Sequence, residues 1–100
     1  MTKCTKEKIK DLTSKELSEL AEILTVLEQQ TYENCCTGRI SGEFANAEMF
    51  NYDNDVIDIE VTYGIQSDCE NRVNTEQWKL NRDILHKKMS IKDKVAEIYE

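Results

Sequence analysis

The sequence predicts an α+β domain: a long N-terminal helix packed on a small antiparallel sheet, with a short C-terminal helix. Three observations carry this expectation. Leu17, Leu20, Ala21, Leu24 and Leu27 recur at helical spacing behind a capping signal. In the run Val56–Tyr63 apolar and polar residues alternate cleanly from Ile57 onward. Ser90, followed by Asp93 and the spaced apolar residues Ile91, Val95 and Ile98, marks a second helix start.

The first helix is expected from about Ser14 to about Asn34. Thr13 caps its first turn, and Glu16, three residues later, reaches back to complete a capping box. Ile23 widens the apolar stripe, while Glu16, Glu19, Glu22 and Glu28 fall mostly on the other side. Ile9 and Leu12, three apart, suggest a short preceding turn within Lys6–Leu12. Thr37-Gly38-Arg39 breaks the helix.

From Ile40 to Phe50 an imperfect alternation predicts a first strand with a bulge near Gly42. Asn51–Asp55 has turn chemistry. In the following strand Ile57, Ile59, Val61 and Tyr63 point one way and Asp58, Glu60 and Thr62 the other. The two runs read as an antiparallel hairpin with one face on the helix and one in water. Gln66–Asn74 reads as a polar loop. Thr75–Leu80 reads as a third strand or as the start of a helix running through Ile84 and Leu85, the strand being preferred. The closing helix is expected from Ile91 to about Tyr99.

One hundred residues fit a single domain, 1–100, with a modest core under a heavily charged surface: 39% of residues are hydrophobic and 33% charged. The net charge is −7, which disfavours direct binding of nucleic acid or of anionic membrane surfaces and leaves basic protein surfaces as partners. The charge is uneven. Residues 31–78 carry two arginines against ten acids, net −8, whereas residues 79–100 carry six basic against four acidic groups, net +2. No segment approaches the roughly 20 apolar residues of a membrane span, and no apolar leader follows Met1–Lys6, so a cytoplasmic protein with reduced thiols is expected.

Specific chemistry is sparse. Asp53 and Asp55, followed by Asp58 and Glu60, gather carboxylates, but the run lacks the glycine and terminal glutamate of a calcium loop and continues into a strand. Cys35 and Cys36 are adjacent, and Cys4 and Cys69 stand apart from them, so no zinc-site spacing exists. His86, the only histidine, has Lys87 and Lys88 beside it and no local nucleophile. Neither a phosphate loop nor a nucleophile elbow occurs. These readings predict no enzyme, no cofactor and no metal.

The sharpest functional lead is the acidic hairpin. Glu43, Glu48, Asp53, Asp55, Asp58 and Glu60 all fall within it, with only Arg39 as a local counter-charge. Tyr52 lies at its tip as either a docking aromatic or a cover for the sheet edge. In general style the chain is similar to small proteins of bacteriophages and mobile elements: short, acidic, proline-free, with ten lysines against three arginines. That likeness carries over no functional residue. The leading expectation is a non-enzymatic module, such as a phage or mobile-element inhibitor, that docks this hairpin on a basic, nucleic-acid-handling host protein. An assembly protein, a homodimer or small virion component sharing the apolar helix stripe, is the second reading. A small metal-binding protein is the third.

Overall fold

The computed structural model describes residues 11–100, so most of the turn expected at Lys6–Leu12 lies outside the described residues. Helix α1 spans Ser14–Cys35, strand β1 Glu43–Tyr52, strand β2 Val56–Gln66 and strand β3 Asn71–Asn81. A single 3-10 turn, Arg82–His86, follows, and helix α2 spans Ile91–Ala96. The three strands form one antiparallel sheet in the order β1-β2-β3, an α+β arrangement.

Helix α1 starts where its capping box does. The Thr13 hydroxyl accepts from the Glu16 N–H at 3.1 Å, and the Glu16 carboxylate accepts from the Thr13 N–H at 2.9 Å. Such a cap is worth about 1 kcal/mol. The helix stops at Cys36, whose backbone is extended. It lies over β1 and β2, where Ala45 and Ala47 keep the inner face of β1 low. Leu20 and Ile23 of α1 then meet Ile57, Ile59 and Val61 of β2 and Leu80 of β3 in one buried cluster. Ile84, Leu85 and Val95 close that core from the C-terminal end. Leu24, Val26 and Leu27 pack against it, so the protein's own fold consumes most of the helix stripe, while Leu17 stays 47% exposed.

The structure moves several expected boundaries, among them those of β1, which runs Glu43–Tyr52 rather than Ile40–Phe50 and takes in the first two residues of the expected turn. The sheet irregularity falls between Met49 and Asn51 rather than near Gly42, leaving Phe50 without a cross-strand partner. Gly42 instead precedes β1 with φ +90°, where its carbonyl accepts from the Gln66 N–H. The polar stretch expected to be a loop is mostly strand: only Ser67–Glu70 turns, and Asn71–Asn74 pair with Tyr63–Gln66. That half of β3 is exposed on both faces, so no alternation marked it. Helix α2 ends at Ala96, because Tyr99 leaves it to exchange two backbone hydrogen bonds with Lys79.

Gly64 sits where β2 crosses both neighbours, opposite Phe44 and Val73, with φ +143°. A Cβ there would drive into the Arg72 carbonyl of β3, so both conformation and space require glycine. Among the described residues, no helix is long and apolar enough to cross a membrane.

Candidate functional site

The sheet has two unlike faces. One lies under α1. On the other no element packs among the described residues, and it presents Asn46 and Glu48 of β1, Asp58, Glu60 and Thr62 of β2, and Thr75, Gln77 and Lys79 of β3. The alternation of β2 produces this division, because residues two apart share a face.

On the open face Glu48 stands directly opposite Glu60. Like charges in that relation oppose sheet formation, and among the described residues no cation pairs with either. Asp58, two residues from Glu60, does have a partner: Lys79, directly across on β3, donates to its Oδ1 at 2.9 Å. The carboxylate raises the Lys79 pKa through that hydrogen bond first and its charge second. Phe50, at the irregularity of β1 next to this face, is 49% exposed, and Val73, on the face itself opposite Gly64, is 44% exposed. The face therefore combines carboxylates with apolar surface.

The remaining residues singled out by sequence lie elsewhere. Glu43 gathers the loop after α1. Its carboxylate accepts from the N–H groups of Thr37, Arg39 and Ile40 and from the Thr37 hydroxyl, at 2.7–3.2 Å. Those bonds, led by the Thr37 N–H, hold its carboxyl below the usual range. Asp53 shapes the β1–β2 turn by accepting from the Val56 and Asp55 N–H groups at 2.7 and 2.8 Å, which lowers its pKa in the same way. Asp55 is exposed in that turn. Tyr52 is half-buried on the helix side; its hydroxyl donates to Asp11 at 3.1 Å, and its ring lies 5.9 Å from the Arg82 guanidinium. The hydrogen bond to Asp11 raises the Tyr52 pKa. Glu48, Asp58 and Glu60 thus share one surface, whereas Glu43, Asp53 and Tyr52 hold the ends of the hairpin.

Sequence reasoning missed a second constellation. Glu16, only 4% exposed, accepts from Arg82 Nε at 3.1 Å and from Arg82 Nη2 at 3.2 Å. His86 Nε2 lies 2.9 Å from the same carboxylate. Arg82 also donates to the Asp53 and Asp11 carbonyls at 2.9 and 3.1 Å. Its guanidinium, with help from the Thr13 N–H and His86, pulls the Glu16 pKa down to about 2. These groups line a 540 Å³ depression with Thr13, Asn54 and Asp83. Among the described residues that line it, the only hydroxyl, on Thr13, is engaged in the helix cap. The arrangement ties the start of α1 to the 3-10 turn.

The signal for Glu16 was present. It precedes Leu20, Ile23 and Leu27 at intervals of four, three and four residues, on the buried stripe itself. A carboxylate in that register needs a buried cation. Cys35, Cys36 and Cys69 are free thiols; Cys36 is partly buried and donates to the Phe44 carbonyl, and burial raises its pKa. Among the described residues, no three His, Cys, Asp or Glu side chains gather closely enough to hold a metal ion.

Compared with protein-family models, curated proteins and solved structures, the chain shows no significant match.

Proposed function

We propose that this protein is a non-enzymatic binding module that docks the open face of its sheet on a basic protein surface, of the kind that meets nucleic-acid phosphates. The observation that carries the reading is the Glu48–Glu60 opposition beside Asp58, on a face that no element among the described residues covers. A cross-strand pair of like charges weakens the isolated sheet. A cationic partner turns that cost into attraction, and steers its own approach through the long-range field. Phe50, exposed at the irregularity of β1 beside these carboxylates, adds an aromatic of the sort that anchors interfaces. Lys79, held by Asp58, marks the β3 border of the acidic surface.

The reading narrows the contact set to Glu48, Asp58 and Glu60, with Phe50 and Asp55 at the rim. Glu43, Asp53 and Tyr52 serve the hairpin's shape instead. The test is affinity capture with the wild-type protein and with the Glu48→Lys, Glu60→Lys double variant, at low and high salt. Partners that bind through this face are retained by the wild type, released by salt and lost by the variant. Equal capture by both proteins would remove the proposal.

A further inference from the structure

We propose that β3 is a self-association edge, through which two copies of the chain join in antiparallel register about Asn74 to make one continuous six-stranded sheet. The inference is independent of what the open face binds.

The two edges of the sheet are finished differently. On β1, Glu28 of the overlying helix accepts from the Ala47 N–H at 2.9 Å, so a ladder donor is already engaged. On β3, Tyr99 exchanges backbone hydrogen bonds with Lys79, covering one position. That exchange also shows which way the strand faces: the Lys79 N–H and carbonyl point away from β2. The β2–β3 ladder runs without a register shift from Asn81 to Asn71. Backbone groups of Asn71, Val73, Thr75 and Gln77 therefore point outward as well. Among the described residues nothing pairs with them, and all seven residues from Asn71 to Gln77 are exposed. A long uncovered edge invites another strand.

The side chains say which strand fits. The uncovered stretch is centred on Asn74, and pairing it with its own copy about that residue sets Arg72 opposite Glu76 of the second copy, and Glu76 opposite Arg72. Val73 then meets Thr75, and Asn71 meets Gln77. All outward-pointing residues face outward-pointing residues, as a hydrogen-bonded ladder requires. The surface is thus self-complementary, the condition for a two-fold contact. Glu76 is already oriented, since the Tyr63 hydroxyl donates to it at 2.7 Å. Arg72 currently pairs with Glu70 at the hairpin tip and is 71% exposed, free to swing to a cross-strand carboxylate. Shifting the two-fold by one residue, to Val73 or Thr75, loses both ion pairs. The pairing ends where Tyr99 occupies Lys79, so the C-terminus bounds the interface. Both copies of α1 then lie on one side of the joined sheet, and both acidic faces on the other.

Sedimentation velocity over a concentration series tests this directly. A dimer is expected below about 0.5 mM, and a strict monomer up to that concentration would overturn the proposal. Glu76→Arg, which sets arginine against arginine twice, should raise the dimer Kd at least about tenfold. Adding Arg72→Glu to the same chain should restore it to within about threefold. Failure of the exchange to restore association would overturn this register. Thr75→Pro removes an outward N–H while sparing the bonds to β2, and should abolish the dimer with the circular dichroism of the monomer retained. Asn74→Cys places one thiol opposite its copy, and should give an oxidised dimer linked through residue 74 on peptide mapping; Thr75→Cys should not. A dimer that persists in Thr75→Pro would show a different interface.

Discussion

Arg82 reaches from the end of the sheet to Glu16 in the first turn of α1, with its Nε 3.1 Å from the carboxylate, and joins residues 66 positions apart in the sequence. Both side chains are nearly buried. Losing one partner strands a charge in the interior, which costs far more than the pair contributes over an apolar substitute. Glu16→Gln keeps an amide able to complete the capping box but removes the charge facing Arg82. It should lower unfolding free energy by about 3 kcal/mol. Urea denaturation checks this, and a double-mutant cycle with Arg82→Met should give strong coupling between the two positions.

The same pair makes stability depend on acidity in a definite direction. The Glu16 carboxyl is held at about 2 in the fold, against an ordinary value of 4.5. The unfolded chain therefore takes up the proton more readily, so the contribution is complete above about 4.5 and disappears as pH falls toward about 2. Glu43 and Asp53, lowered by backbone N–H donors, act in the same direction. Thermal unfolding across this acid range should show a steep loss of Tm in the wild type. The Glu16→Gln protein should start lower and fall less steeply. Parallel curves would mean that the pairing gives no pH-dependent stability.

Gly64 offers a test of the sheet rather than of its charges. A methyl group there collides with backbone, not with a side chain that can move aside. The residue would also have to hold φ near +143°, which strains any L side chain. Gly64→Ala should cost about 2–3 kcal/mol, combining backbone strain with displacement of β3. Hydrogen exchange should report the damage first at Arg72 and Asn74, whose N–H groups face β2. A stability change below about 0.5 kcal/mol, the level of an ordinary surface substitution, would contradict the close approach.

The parts of the fold that were legible in the sequence are those where local and long-range preferences agree. Thr13 and Glu16 form the expected capping box, and Ile57, Ile59 and Val61 lie buried on one side of β2 as their alternation requires. Asn71–Asn74 were illegible because both their faces meet water, so only hydrogen bonding to β2 makes them strand. The C-terminal helix is shorter than its spacing predicts because Ile98 keeps helical spacing with Ile91 and Val95, while the Lys79 edge offers Tyr99 a better use of its backbone. Charges were the hardest to place. Alternation put Glu48, Asp58 and Glu60 on the open face, but no local pattern reveals that Glu43 organises the Thr37–Ile40 backbone or that Tyr52 leans on Arg82.

The opposed pair Glu48 and Glu60 distinguishes a binding surface from one that merely keeps the protein in solution. If the face has no partner, replacing Glu60 by lysine should only help the fold, since a cross-strand ion pair replaces a repulsion. The gain is about 0.5–1 kcal/mol, largest at low salt because the site is open to solvent. If the face docks on a cationic surface, the same substitution should stabilise the free protein and weaken the complex together. Urea denaturation of the isolated Glu60→Lys protein and titration against a captured partner measure the two effects separately. Binding should weaken by about tenfold or more at low salt, with the difference shrinking as salt rises. A more stable variant with undiminished, salt-independent affinity would place the contact elsewhere on the molecule, whereas one that is less stable would show that Glu48 does not reach across to position 60.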